Sequence, residues 1–245
     1  MLANWNGILS IARSEPLTLP GLAWPVEIRA HPRARALRLR LDEGRGLLTL
    51  TCPRRVSRRA ALDWAQRQAS WVEEQLAGLA PAMPFAPGAI IPLEGRLVTL
   101  SWRESGPRTP NIVDDQLRCG GPETNFAARI ERYLRKTACE RLSQQTAATA
   151  ARAGVTIRSV AVGDASSRWG SCSASGSIRY SWRLLLAPPH LLNWVVAHEI
   201  AHRVHMDHSP AFRALEARLF EGEVAVARAE LRALGPGLKR IGRRV

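Results

Sequence analysis

The sequence lacks several features that define whole classes of protein. Its four cysteines lie far apart and form no CxxC pair, so nothing requires a disulfide scaffold, and neither a zinc knuckle nor a thioredoxin-like redox motif is indicated. No window approaches the roughly 18 consecutive apolar residues of a membrane span. The N-terminal residues lack the basic start, apolar run and cleavage site of a signal peptide. We therefore expect a cytoplasmic globular protein with reduced thiols and no membrane partner.

Lysine is almost missing from a chain that is strongly basic. Of 35 basic residues only Lys136 and Lys239 are lysines, and the formal net charge is +14. A basic surface attracts polyanions, so nucleic acid is one conceivable partner. The arginine bias beside abundant alanine is equally typical of a GC-rich coding sequence, and no DNA-binding module is recognisable. We do not favour a nucleic-acid partner, and the composition leaves the oligomeric state open.

The first part of the chain has strand patterns around one helix. The alternation in ALRLRL and a glycine-containing turn predict a β-hairpin or meander within residues 23–53. Ser57 is a suitable N-cap for a helix that Gly78 would end. We predict that residues 1–120 form an N-terminal β-rich region with this one helix.

The second part, residues 121–245, is predicted to form the catalytic region. A long amphipathic helix is expected over about 125–153, with Gly154 as its stop. VTIRSVAV is typical of a strand, SSRWGSCSASGSIRYSW of a hairpin, and a double proline opens the next helix. Helices beside a mainly antiparallel sheet define an α+β fold, and the two regions are compatible with one continuous domain.

The stretch VVAHEIAHRVHMDHSPAF, which begins at Val195, holds four of the six histidines. On a helix His198 and His202 lie one turn apart on the same face, so their imidazoles can converge on one ion. Glu199 is offset by about 100° around the helix and can reach a water on that ion without becoming a ligand. This HExxH arrangement suits zinc, because three protein ligands leave one position open for water.

The third ligand is either His205 or His208. A helix that continued to His205 would spread the three histidines over about 10 Å, which ligands near 2.0 Å from one ion cannot span. His208 becomes available if the helix ends first, and Asp207 readily makes a local turn. We therefore predict that His208 completes the metal site with the two helix histidines, and that His205 supports the ligands or is exposed.

Four motifs follow one another in the second part of the chain: SRWGSC, SIRYSWRLLLAPP, WVVAHEIAH and DHSPAF. Together they resemble the YgjP-like metallohydrolases, relatives of the SprT and WLM zinc-peptidase-like families, and a weaker similarity extends into RALRLRL and TCPRRVSRRAAL. The resemblance implies a zincin-like catalytic unit with Zn²⁺ on His198, His202 and His208. It also implies that Glu199 is the general base that activates a zinc-bound water.

Candidate substrate contacts lie in the hairpin expected to flank the cleft. Arg168 could hold a substrate carboxylate or phosphate, or form a structural salt bridge. Trp169 could contact substrate or pack beneath the site. Ser181 and Asp207 stand where members of the family commonly have asparagine. We predict Arg168, Trp169 and Ser181 as substrate-binding residues.

Three functions are compatible with these residues. The first is a zinc-dependent metallopeptidase, since zincins hold an extended peptide against a sheet edge. The second is hydrolysis of a nucleotide phosphoanhydride, which the many arginines would suit. The third is a DNA-associated SprT-like protease that docks through the basic N-terminal sheet and the LKRIGRRV tail.

Overall fold

The structure is a computed structural model that describes residues 15–165 and 168–243. In these ranges it has six α-helices and three β-sheets, which confirms the predicted α+β fold. None of these helices combines the length and hydropathy that a membrane span requires. Three stretches considered in the sequence lie outside the described residues. They are residues 1–14, where a signal peptide would lie, Ser167 of SRWGSC, and the last two residues of LKRIGRRV.

The chain forms two compact units, one that ends at Leu79 and one that begins at Ala80. The strands within residues 90–119 therefore belong to the same unit as the helices that follow them. The boundary that the sequence predicted, between residues 120 and 121, differs from this division into two units and stays a prediction.

The first unit has a three-stranded sheet and two short helices. They are β1 (Val26–His31), β2 (Arg38–Asp42), β3 (Leu47–Pro53), α1 (Arg58–Gln66) and α2 (Ala69–Ala77). The central strand β3 is parallel to β1 and antiparallel to β2. Leu39 is buried between exposed Arg38 and Arg40, as strand alternation requires. The single helix predicted after Ser57 is interrupted at Gln68, whose backbone angles (φ −92°, ψ 12°) leave the helical conformation.

The second unit contains the other two sheets. Their strands are β4 (Ile90–Leu93), β5 (Arg96–Trp102), β6 (Asn111–Val113), β7 (Gln116–Cys119), β8 (Ser159–Gly163), β9 (Gly170–Cys172) and β10 (Ser177–Ser181). The strand orders are β4-β5-β7-β6 and β8-β10-β9. Among the described strands four of the seven pairings are antiparallel, in agreement with a mainly antiparallel arrangement.

Four helices complete the second unit: α3 (Phe126–Ala153), α4 (Pro189–Ala201), α5 (Pro210–Phe220) and α6 (Val224–Arg240). Gly154, in the left-handed conformation with φ 66°, ends α3 as predicted. Helix α4 is apolar around most of its circumference and contacts all three other helices and β9. A helix with this composition is stable only when it is buried. Because Glu199 lies on α4, its carboxylate is carried into the interior of the unit.

Candidate metal centre

Three histidine side chains meet at the C-terminal end of α4. One ring nitrogen from each of His198, His202 and His208 lies within 4.8 Å of the others. The Nε2 atoms of His198 and His208 are 3.5 Å apart. Two nitrogens bound tetrahedrally to one zinc ion at about 2.0 Å lie about 3.3 Å from each other. The donor set and its spacing therefore fit a zinc ion bound by three imidazoles.

His208 can come close to His198 and His202 because α4 ends early. The sequence predicted that the chain would break at Asp207, but α4 already ends at Ala201. The amides of Arg203 and Val204 bond to carbonyls three residues back, which tightens the last turn and takes the chain off the helix axis. Asp207 then accepts a hydrogen bond from the amide of Ser209 at 3.2 Å, and this local turn precedes α5.

His205 contributes its backbone rather than its imidazole. Its carbonyl oxygen lies 3.1 Å from Nδ1 of His202. A carbonyl can only accept, so Nδ1 of His202 must carry the proton, and its Nε2 keeps the lone pair that a metal requires. His205 is thus a support for a neighbouring ligand, one of the two roles predicted for it.

A buried carboxylate orients His198. Oε1 of Glu216 accepts hydrogen bonds from Nδ1 of His198 and from Nε1 of Trp194, both at 2.9 Å, and Glu216 is only 1% exposed. Burial raises the pKa of this carboxyl, but the two hydrogen bonds and the charges of His198 and Arg228 outweigh that effect and hold the pKa below its usual value. An ionised Glu216 fixes the tautomer of His198 and leaves its Nε2 free to bind a metal.

Phe212 packs against all three imidazoles. Its ring centroid lies 5.1 Å from that of His198, 4.6 Å from His202 and 4.8 Å from His208. Because Phe212 is itself fully buried, it restricts the rotamers of the three rings.

Glu199 lies in a tightly restricted space beside β9. It is only 5% exposed, and a side chain at Gly170 would clash with its carboxylate. No group in the described part of the chain donates a hydrogen bond to this carboxylate. Burial raises the pKa of Glu199 to about 7, although the positive charges of His198 and Arg168 act to lower it. A free carboxyl with this pKa can exchange a proton near neutral pH.

Strand β9 is an edge of its sheet and has unused backbone groups. The hydrogen bonds from Ser181 N to Trp169 O (2.8 Å) and from Ser173 N to Ser177 O (3.0 Å) define which residues pair with β10. In an antiparallel ladder the residues between such pairs direct their N–H and C=O groups away from the partner strand. The backbone groups of Gly170 and Cys172 therefore point outward from the sheet edge, and Gly170 adjoins Glu199.

The three predicted substrate residues line one cleft of about 410 Å³, which we call the outer cleft. Arg168 is exposed, Trp169 is half-buried and Ser181 is buried. Trp169 packs against Gly235 of α6, and the ammonium group of Lys239 lies 5.3 Å from its ring, so this side chain has a packing role.

Strand alternation places most of the outer cleft on the far side of its sheet from Glu199. Ser171, Arg179 and Ser181 alternate with Gly170, Tyr180 and Cys172 along β9 and β10. The face of the sheet that contains Gly170 lies against the carboxylate of Glu199. The structure therefore brings Arg168, Trp169 and Ser181 to one cleft. Ser181 lies on the face away from Glu199, whereas the charge of Arg168 still acts on Glu199.

Two contributors to the site were missed from the sequence. Glu216 lies in the apolar stripe that Phe212, Leu215 and Leu219 form on α5, and a carboxylate in such a stripe was a usable signal. The contact of Gly170 with Glu199 joins residues distant in sequence, and no local pattern predicts it.

The chain is similar to a known protein family. The family model described as YgjP-like, metallopeptidase domain, matches residues 35–233. No match was found among curated proteins or among solved structures.

Proposed function

This chain belongs to the YgjP-like family, and from that premise we propose that it is a zinc-dependent peptidase in which Glu199 is the general base. One observation carries the proposal: three imidazole nitrogens suited to one ion meet at the C-terminal end of the helix that also buries the carboxylate of Glu199 beside the edge strand β9. A metal ion and a proton acceptor supply the chemistry of peptide hydrolysis, and a strand edge can hold an extended peptide.

His198, His202 and His208 would hold the ion. Imidazole suits zinc, and both helix histidines have their Nδ1 atoms engaged by acceptors, which leaves Nε2 for coordination. When bound, zinc supplies Lewis acidity that polarises a carbonyl and acidifies water.

Glu199 would move the proton. Its carboxylate takes a proton from the attacking water and later delivers it to the amine that leaves, so the same oxygen acts as base and then as acid. The absence of hydrogen-bond donors to Glu199 in the described residues supports this role, because a carboxylate already saturated by donors is a weaker base.

Strand β9 would hold the substrate. An extended peptide can add to the edge of the sheet by pairing with the outward N–H and C=O groups of Gly170 and Cys172. Such pairing places a scissile carbonyl next to Glu199 without any side-chain contact, so it suits peptides of many sequences.

A paired substrate screen tests the proposal. We expect the zinc-loaded protein to cleave unfolded casein, and a chelator to abolish the cleavage until zinc is restored. A parallel incubation with nucleoside triphosphates tests the second function, hydrolysis of a nucleotide phosphoanhydride. Release of phosphate or pyrophosphate with casein left intact would replace the peptidase proposal by phosphoanhydride hydrolysis.

Zinc binding by two histidine variants tests the ligand set. His208→Ala should weaken zinc binding by more than about 100-fold, because losing a direct ligand costs more than losing a group that only orients one. His205→Ala is the matched control, since its backbone carbonyl still accepts from His202, and it should bind zinc like the wild type. Titration against a chromophoric chelator measures both. Equal losses in the two variants would contradict the assignment of His208.

A further inference from the structure

The outer cleft has an excess of unpaired positive charge. Arg168 and Arg179 both line it and are exposed, and neither has an ion pair or hydrogen bond within residues 15–165 and 168–243. The ammonium group of Lys239 lies over the ring of Trp169, which lines the same cleft. Two guanidinium groups without partners can each donate two parallel hydrogen bonds to an oxyanion.

The carboxylate that lines the cleft is already neutralised. Oδ1 of Asp164 accepts from Nε of Arg183 at 2.7 Å, and Oδ2 accepts from Nη2 of Arg243 at 2.7 Å. A third guanidinium, that of Arg135, has its Nη2 atom 3.6 Å from the same Oδ2. Asp164 therefore cannot offset the charges of Arg168 and Arg179, and the cleft stays electropositive.

A buried hydroxyl in the same cleft also lacks a partner. Ser181 is 2% exposed, and its Oγ has no hydrogen bond in the described structure. An unsatisfied buried polar group is uncommon, and a bound ligand is one of the few arrangements that account for it. Ser181 and the two arginines line one cleft, whose volume of about 410 Å³ suits a small-molecule group.

We propose that the outer cleft is an oxyanion-binding site that takes a phosphate or carboxylate group between Arg168 and Arg179. Arg179 and Ser181 lie on the face of the sheet opposite Glu199, and anion binding there does not depend on the peptidase proposal. A phosphoryl group and the carboxylate of an acidic side chain or peptide C-terminus share this recognition chemistry, so the ligand source is decided by experiment.

Calorimetric titration at low ionic strength tests the site. Inorganic phosphate, pyrophosphate and succinate are titrated separately into full-length protein, once zinc-loaded and once after chelator treatment, so that binding to a metal ion is recognised. We expect saturable binding that persists without zinc. Arg179→Gln and Arg168→Gln should each weaken it by about tenfold or more, because a charge-assisted hydrogen bond is lost.

Arg132→Gln is the matched control. Arg132 is exposed on α3 and, within the described residues, has no ion pair, so its removal lowers the net charge equally without altering the cleft. Tighter binding of phosphate or pyrophosphate than of succinate would assign a phosphoryl ligand, and the reverse order a carboxylate. Absence of saturable binding in the wild type, binding only to zinc-loaded protein, or equal weakening by Arg132→Gln would overturn the proposal.

Discussion

Glu199→Gln is expected to slow casein hydrolysis by about 10²- to 10⁴-fold, the usual contribution of a general base, with zinc still bound. Glutamine has the shape of glutamate, so it fits the restricted space that Gly170 leaves. It cannot take up a proton from water. Initial rates measured at equal zinc occupancy separate this chemical loss from any loss of metal.

Glu140→Gln provides the comparison for this variant. Glu140 is exposed on α3, and its only ion pair among the described residues is a 3.8 Å contact with Lys136, so we expect wild-type rates. Hydrolysis by Glu199→Gln at the wild-type rate would exclude Glu199 as the base. A loss that follows its zinc content would instead assign Glu199 a role in metal binding.

The sequence was sufficient for the parts of the site that depend on helix periodicity. The four-residue spacing of His198 and His202 predicts neighbouring imidazoles, and the structure places their ring centroids 4.9 Å apart. The end of α4 was predicted too late because its last turn tightens through three-residue hydrogen bonds. The sequence there has no glycine or proline to mark the change, so local propensity could not place it.

Features that depend on strand register were not predictable in the same way. Ser181 was expected to touch substrate because it stands where members of the family that the sequence resembles commonly have asparagine. A shift of one residue in the pairing of β9 and β10 would exchange the two faces of the hairpin, and only the tertiary structure fixes that register. The observed register directs Gly170 toward Glu199 and assigns Ser181 to the outer cleft.

Glu216→Gln is expected to weaken zinc binding by about 10- to 100-fold, the usual effect of changing a group that orients a metal ligand. The carboxylate accepts the Nδ1 proton of His198 at 2.9 Å in a buried site, and its charge makes the opposite ring nitrogen a better donor to metal. A neutral amide keeps the shape and can still accept from Trp194, but it lacks that charge. Chelator competition gives the dissociation constant, and thermal unfolding of the metal-free protein monitors the fold.

Glu230→Gln removes a similar pair away from the histidine cluster. Glu230 lies 2.7 Å from Nε2 of His190, an exposed histidine outside the metal ligand set, so zinc affinity should not change. If Glu216 only stabilised the fold, its substitution would lower the unfolding temperature of the metal-free protein. The loss of zinc affinity would then be explained entirely by the smaller fraction of folded protein. We expect the opposite result, a lower affinity at a similar unfolding temperature, because glutamine preserves the packing of Glu216 but not its charge beside His198.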